Sequence, residues 1–127
     1  MTVIRLDDVP RQGFPNGATY QTLVGDDDGS TPVRVGVQVS PPGYSTGTHS
    51  HPYMEVVSVI DGEGEAWIEG QDGLIAIGPG VTMVFPPNVK HGFRATGSVD
   101  LKTHGVHASA HRIVNRFPED DVPEDGA

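Results

Sequence analysis

Cysteine is absent from the 127 residues, which removes disulfides, thiolate nucleophiles and every cysteine-ligated zinc or iron–sulfur site at once. Basic residues are scarce: 8 Lys and Arg stand against 17 Asp and Glu, for a formal charge of -9 at pH 7. Five of the acids, Glu119, Asp120, Asp121, Glu124 and Asp125, crowd the carboxy-terminal end, and taking them from -9 leaves -4 for residues 1–118. A nucleic-acid partner needs a basic stripe to displace counterions, and a membrane surface needs a polybasic anchor, so neither partner is expected. No apolar run is long enough to span a bilayer. The amino terminus, MTVIRLDDVP, lacks the basic segment leading into an apolar stretch that marks a secretory signal. A cytoplasmic protein with a small-molecule ligand is expected.

Helical patterning is scarce too, with no amphipathic segment longer than two turns. In its place 17 Gly and 11 Pro punctuate the chain, a density of turns that suits an all-β sandwich or barrel. Strands are expected at 19–24, 33–40, 55–60, 65–69, 74–77, 82–85, 91–95, 100–104 and 112–117. Turn formers separate them, among them Asp61-Gly62, Gly78-Pro79-Gly80 and Pro86-Pro87-Asn88. A chain of this length supports one hydrophobic core, so residues 1–117 are assigned to a single domain. Residues 118–127, PEDDVPEDGA, have too little apolar surface to order themselves and are expected to form a disordered acidic tail. Residues 26–29 are expected to form a solvated loop.

What the chain does have is a concentration of metal-ligand side chains. His49 and His51 share a face if the chain is extended there, and Glu55 can rejoin them after a turn at Pro52. His91 follows forty residues after His51. Three neutral imidazoles and one carboxylate suit one divalent transition metal ion, and four protein ligands leave positions free for water or substrate. Iron, manganese, nickel, copper and zinc all accept this donor set.

Gly43, His49, His51, Glu55 and Gly62 reproduce at every spacing the first signature motif of the cupin superfamily. Gly80, Pro86, Asn88, His91 and Ala95 are similar to its second motif, with two departures. Asn88 stands where a turn glycine is usual and can adopt the same left-handed backbone, and Ala95 stands at a structural position outside the ligand set. Seventeen residues separate the motifs, a spacing that resembles compact single-domain bacterial cupins. The resemblance covers roughly residues 30–117. It implies a double-stranded β-helix, or jelly-roll, barrel with a metal held inside one mouth by His49, His51, Glu55 and His91.

If those ligands face inward, residues two apart on the same strands do so as well, which makes Val57, Val59, Phe93 and Ala95 an apolar pocket wall. Glu55, the anionic ligand, and Tyr53, whose hydroxyl could hydrogen-bond a ligand of the metal, are the candidate catalytic residues. His104, His107 and His111 are expected at the surface or rim, with one of them able to reach the pocket for proton transfer. Arg94, Lys102 and Arg112 are the bases that could hold a substrate carboxylate, although Arg94 alternates away from His91. The resemblance implies a metal-dependent enzyme, first a dioxygenase-type oxidation of a small organic molecule. The alternatives are a non-redox isomerase, epimerase or lyase on a sugar or keto acid, and a non-catalytic binding module. A homodimer is expected, with Val3 to Val9 pairing across an open strand edge.

Overall fold

Short apolar–polar alternations closed off by Gly, Pro, Asp and Asn fold as strands, because each turn former imposes a backbone geometry that a ladder cannot continue through. The computed structural model describes residues 2–25 and 30–120; the acidic loop at 26–29 and residues 121–127 of the tail lie outside the described residues. A 3-10 turn at Leu6–Asp8 precedes β1 (Gln12–Gly13), β2 (Thr19–Val24), β3 (Arg34–Ser40), β4 (His49–Ser50) and β5 (Glu55–Asp61). Then come β6 (Glu63–Ile68), β7 (Ile75–Ile77), β8 (Thr82–Phe85), β9 (His91–Thr96), β10 (Leu101–His107) and β11 (Asn115–Arg116). They form two antiparallel sheets, β1-β2-β3-β10-β5-β8 and β11-β4-β9-β6-β7. From β3 to β6, and again from β8 to β11, successive strands alternate between the sheets, which winds the chain into a jelly-roll barrel. No helix among the described residues is long and apolar enough to cross a membrane.

Alternation fills the interior. Along β5, Glu55, Val57 and Val59 are buried while Val56 and Ser58 are only partly so. Val57, Val59, Ala66, Ile77, Met83, Phe85, Phe93, Ala95 and Leu101 pack as one apolar cluster, with Leu101 wholly shielded from solvent. Two motif positions are fixed by the backbone. Gly62 turns between β5 and β6 at φ 83°, and a Cβ there would collide with the Asp100 carbonyl. Asn88 takes φ 65°, the left-handed conformation that the turn requires.

The boundaries differ from the sequence expectation where a ladder, and not local pattern, decides. β10 runs to His107, past the expected end at His104, because Gly105 pairs with Gly36 on β3 and with Val57 on β5. The expected strand at 112–117 contracts to Asn115–Arg116, and the two-residue β4 had no periodicity to reveal it. The Val3 to Val9 segment is not an extended strand: the Gln21 Nε2 amide donates to the carbonyls of Leu6 and Val9, both at 2.9 Å, and holds the 3-10 turn against its own barrel. Of the tail expected at 118–127, residues 118–120 are described, and the Asp120 carboxylate lies 2.8 Å from Lys90 Nζ.

Candidate metal centre

The ligand segment crosses from one sheet to the other. His49 and His51 belong to the β4 side, the bend at Pro52 and Tyr53 turns the chain, and Glu55 opens β5 in the opposite sheet. β9 lies beside β4 with His49 and His91 in register, so their rings meet at a centroid distance of 4.5 Å. All four side chains are buried. One potential ligand atom from each of His49, His51, Glu55 and His91 lies within 4.8 Å of the others.

The hydrogen bonds around the imidazoles test whether a cation fits. His49 Nδ1 faces the Gly47 carbonyl at 3.0 Å, His51 Nδ1 that of Ile113 at 2.6 Å and His91 Nδ1 that of Val89 at 2.9 Å. A carbonyl only accepts, so each Nδ1 carries the proton and each Nε2 turns a bare lone pair inward. The Glu55 Oε1 oxygen lies 3.1 Å from His91 Nε2 and 3.5 Å from His51 Nε2, and His51 Nε2 is buried without a hydrogen-bond partner. Lone pairs facing a carboxylate repel unless a cation stands between them. Burial lowers the His49 pKa to about 4, so this ring is neutral at pH 7. Burial pushes the Glu55 carboxyl up, but the hydrogen bond donated by His107 leads the contacts that outweigh it and hold the group well below the usual carboxylate range. The four residues fit a divalent metal ion.

A second layer orients the carboxylate. His107 Nε2 lies 2.6 Å from Glu55 Oε2, and its Nδ1 lies 2.7 Å from the Tyr53 hydroxyl. The network assigns His107 a proton on Nε2, donated to Glu55, with Tyr53 donating to Nδ1. The Ile113 N–H donates to the Tyr53 hydroxyl at 3.2 Å. Ile113 therefore serves two ligands, His51 through its carbonyl and Glu55 through Tyr53 and His107.

Three of the ligands, His49, His51 and Glu55, open into a cavity of about 130 Å³, whose lining also includes His107, Val57 and Phe93 but not the fully buried His91. Val59 and Ala95, expected in the wall, lie in the apolar cluster. Phe85 stacks on His91 at 3.9 Å and separates site from core. Tyr53 is buried and does not line the cavity; its hydroxyl acts on His107. Burial raises its pKa. His104 and His111 are not among the lining residues, whereas His107 is. Among the three candidate bases, Arg94 pairs with Glu65 at 3.0 Å, Lys102 lies outside the lining, and Arg112 lines the cavity together with Arg34 and Arg116. His107 has a signal in strand parity, since it follows Thr103 and Gly105 on one face of β10. Arg34, Arg116 and the backbone of Ile113 carry no motif.

A jelly-roll barrel with a three-histidine, one-carboxylate cluster at one mouth defines a class of small-molecule proteins, the cupins. The chain belongs to that family: residues 36–107 match the cupin domain. It is similar to Protein SchB of Streptomyces halstedii, 32% identical over 101 residues that make up 79% of this chain and 72% of that protein. A cupin-like protein of Thermotoga maritima superposes with a TM-score of 0.72 at 26% identity, over 80% of this chain and 77% of the other. The polyketide cyclase RemF of Streptomyces resistomycificus gives 0.78 at 21% identity, over 91% and 84%.

Proposed function

We propose that the chain is a metal-dependent enzyme acting on a small enolisable organic molecule. The observation that carries this reading is the set of inward lone pairs of His49, His51 and His91 gathered with Glu55 at one end of a cavity. A divalent ion in that set would polarise the oxygens of a carbonyl compound and acidify its neighbouring C–H bonds. The residues do the rest. Val57 and Phe93 exclude water from the reacting atoms, and the protons on His107 and Tyr53 form a chain ending at Glu55 Oε2. One structural neighbour is a polyketide cyclase, and polyketides are carbonyl compounds with this acidity.

Two outcomes follow from such a substrate. A dioxygenase-type reaction spends the electron density at carbon on dioxygen. A non-redox isomerisation, elimination or ring closure moves protons only, and the Glu55–His107–Tyr53 chain favours this second outcome because it sets exchangeable protons at the cavity. The test loads the protein separately with iron, manganese, nickel, copper and zinc and offers a panel of ketones and keto acids in D2O. Deuterium appearing at the α-carbon under argon, absent from the His91→Ala protein, is the expected result. Oxygen uptake in place of exchange moves the assignment to the oxidative reaction. Neither signal with any metal sinks the proposal. A homodimer in the cytoplasm remains the expected setting, with size-exclusion chromatography and light scattering as the check on assembly.

A further inference from the structure

The chain carries six arginines and a net charge of -9, yet Arg112 and Arg116 both line the cavity at the metal centre, where Glu55 is the single acid among the described lining residues. Such a concentration of one sign opposes the charge of the whole molecule and focuses a positive potential on the cavity. Glu55 forms no ion pair with either arginine, since both its oxygens are turned to imidazoles. Nor are the exposed guanidinium groups of Arg112 and Arg116 spent on other carboxylates among the described residues. Arg112 lies over the Phe14 ring at 5.3 Å, and Arg116 donates to the Thr46 carbonyl at 3.2 Å. Elsewhere the cations Arg94 and Lys90 are paired with Glu65 and Asp120.

The geometry beside them is flat and aromatic. Phe14 stacks on Tyr20 at a centroid distance of 4.5 Å, and both rings line the cavity. Tyr44 lies within the electrostatic reach of both Arg112 and Arg116, and Tyr53 within that of Arg112. Arg112 thus lies over the aromatic wall and lines the same cavity as His49, His51 and Glu55.

We propose that Arg112 and Arg116, with the Phe14–Tyr20 wall, form an anion-recognising subsite, so that the substrate is a planar organic acid with a carboxylate distant from its metal-binding oxygens. The inference rests on the proposed reading that the metal centre binds its substrate through oxygen. Guanidinium forks suit this task, since their planar donors match both carboxylate oxygens and their faces stack on rings.

Two catechol probes of nearly equal shape test it: 3,4-dihydroxybenzoate, and its uncharged counterpart 3,4-dihydroxybenzamide. Both chelate through the same two oxygens, and only the first carries the distant anion. Isothermal titration calorimetry under argon on the zinc-loaded protein is expected to give the acid an advantage of about tenfold over the amide. In the Arg112→Gln, Arg116→Gln double variant, with zinc content confirmed, the advantage is expected to fall below about twofold. It is also expected to shrink with added salt in the unsubstituted protein. Equal binding of the two probes, or an advantage that survives the double substitution, overturns the subsite while the metal reading stands. If neither probe binds the zinc-loaded protein, the metal reading fails and the subsite fails with it.

Discussion

His107 Nε2 and Glu55 Oε2 lie 2.6 Å apart although fifty-two residues separate them in sequence. The contact leaves the other Glu55 oxygen, Oε1, to the imidazoles of His51 and His91. One carboxylate therefore faces two ways, and the proton on His107 decides which oxygen faces the metal ligands.

Replacing His107 with Phe removes that donor while keeping a ring of similar breadth. Metal affinity is expected to fall about 10- to 100-fold, the range for loss of an outer-layer partner. Competition with a chromogenic chelator measures it. Unchanged affinity would mean that Glu55 is held by the barrel alone.

Removal of a ligand itself has a larger effect. His91→Ala is expected to abolish stoichiometric metal binding and, with it, the rise in Tm that metal gives the unsubstituted protein, about 4 kcal/mol of stabilisation at a thousandfold excess over Kd. Metal analysis and thermal melts with and without a chelator read both quantities. Metal content and Tm that both match the unsubstituted protein would disprove the four-ligand centre.

The metal-free protein should lose stability as pH falls, and the sign follows from His49. Its pKa is lowered to about 4 in the fold from 6.5 unfolded, so below pH 6.5 the unfolded chain takes up a proton that the fold refuses. The neutral-state advantage is complete above pH 6.5 and is lost on descent towards pH 4, by about 3 kcal/mol. Glu55, depressed in the fold from 4.5, adds its own loss only below about pH 4.5. Urea melts of chelator-treated protein at pH 7.5, 6 and 5 are expected to show the first slope, and His49→Gln to flatten it.

Gly92 lies between two of the ligand-bearing strand's residues, and a Cβ there would run into the Trp67 ring and lie 2.6 Å from the Gly47 carbonyl. The Trp67 indole cannot retreat freely, because its Nε1 donates to Thr48 Oγ1 at 2.9 Å. Gly92→Ala is expected to cost about 1–3 kcal/mol and to weaken metal binding, since Gly47 also holds His49. Chemical denaturation and the chelator titration check the two effects separately.

The ligands were legible in the sequence because the first motif sets His49, His51 and Glu55 within seven residues, with parity turning the two histidines to one side and the bend at Pro52 returning Glu55 to them, and the second motif supplies His91. Val57 and Phe93 followed from the same parity. Val59 obeyed the parity too, yet sits deeper, because parity gives a face and not a height in the barrel. His107 was hidden by Gly105, which resembles a strand end locally and is paired on both sides in the fold. Ile113 left no trace at all, since it acts through backbone N–H and C=O groups that every residue but proline owns. The arginines at the cavity come from β3 and from the segment after β10, a convergence that only tertiary structure creates.

The crossing of the ligand segment at Pro52 and Tyr53 has a kinetic consequence. His49 and His91 stand in one sheet, His51 directly follows β4 and Glu55 stands in the other sheet, so the full ligand set exists only after the sheets have docked. An ion captured there acts as a clasp fastened last: it adds little to the rate of folding and slows unfolding, because the sheets cannot part until a ligand lets go.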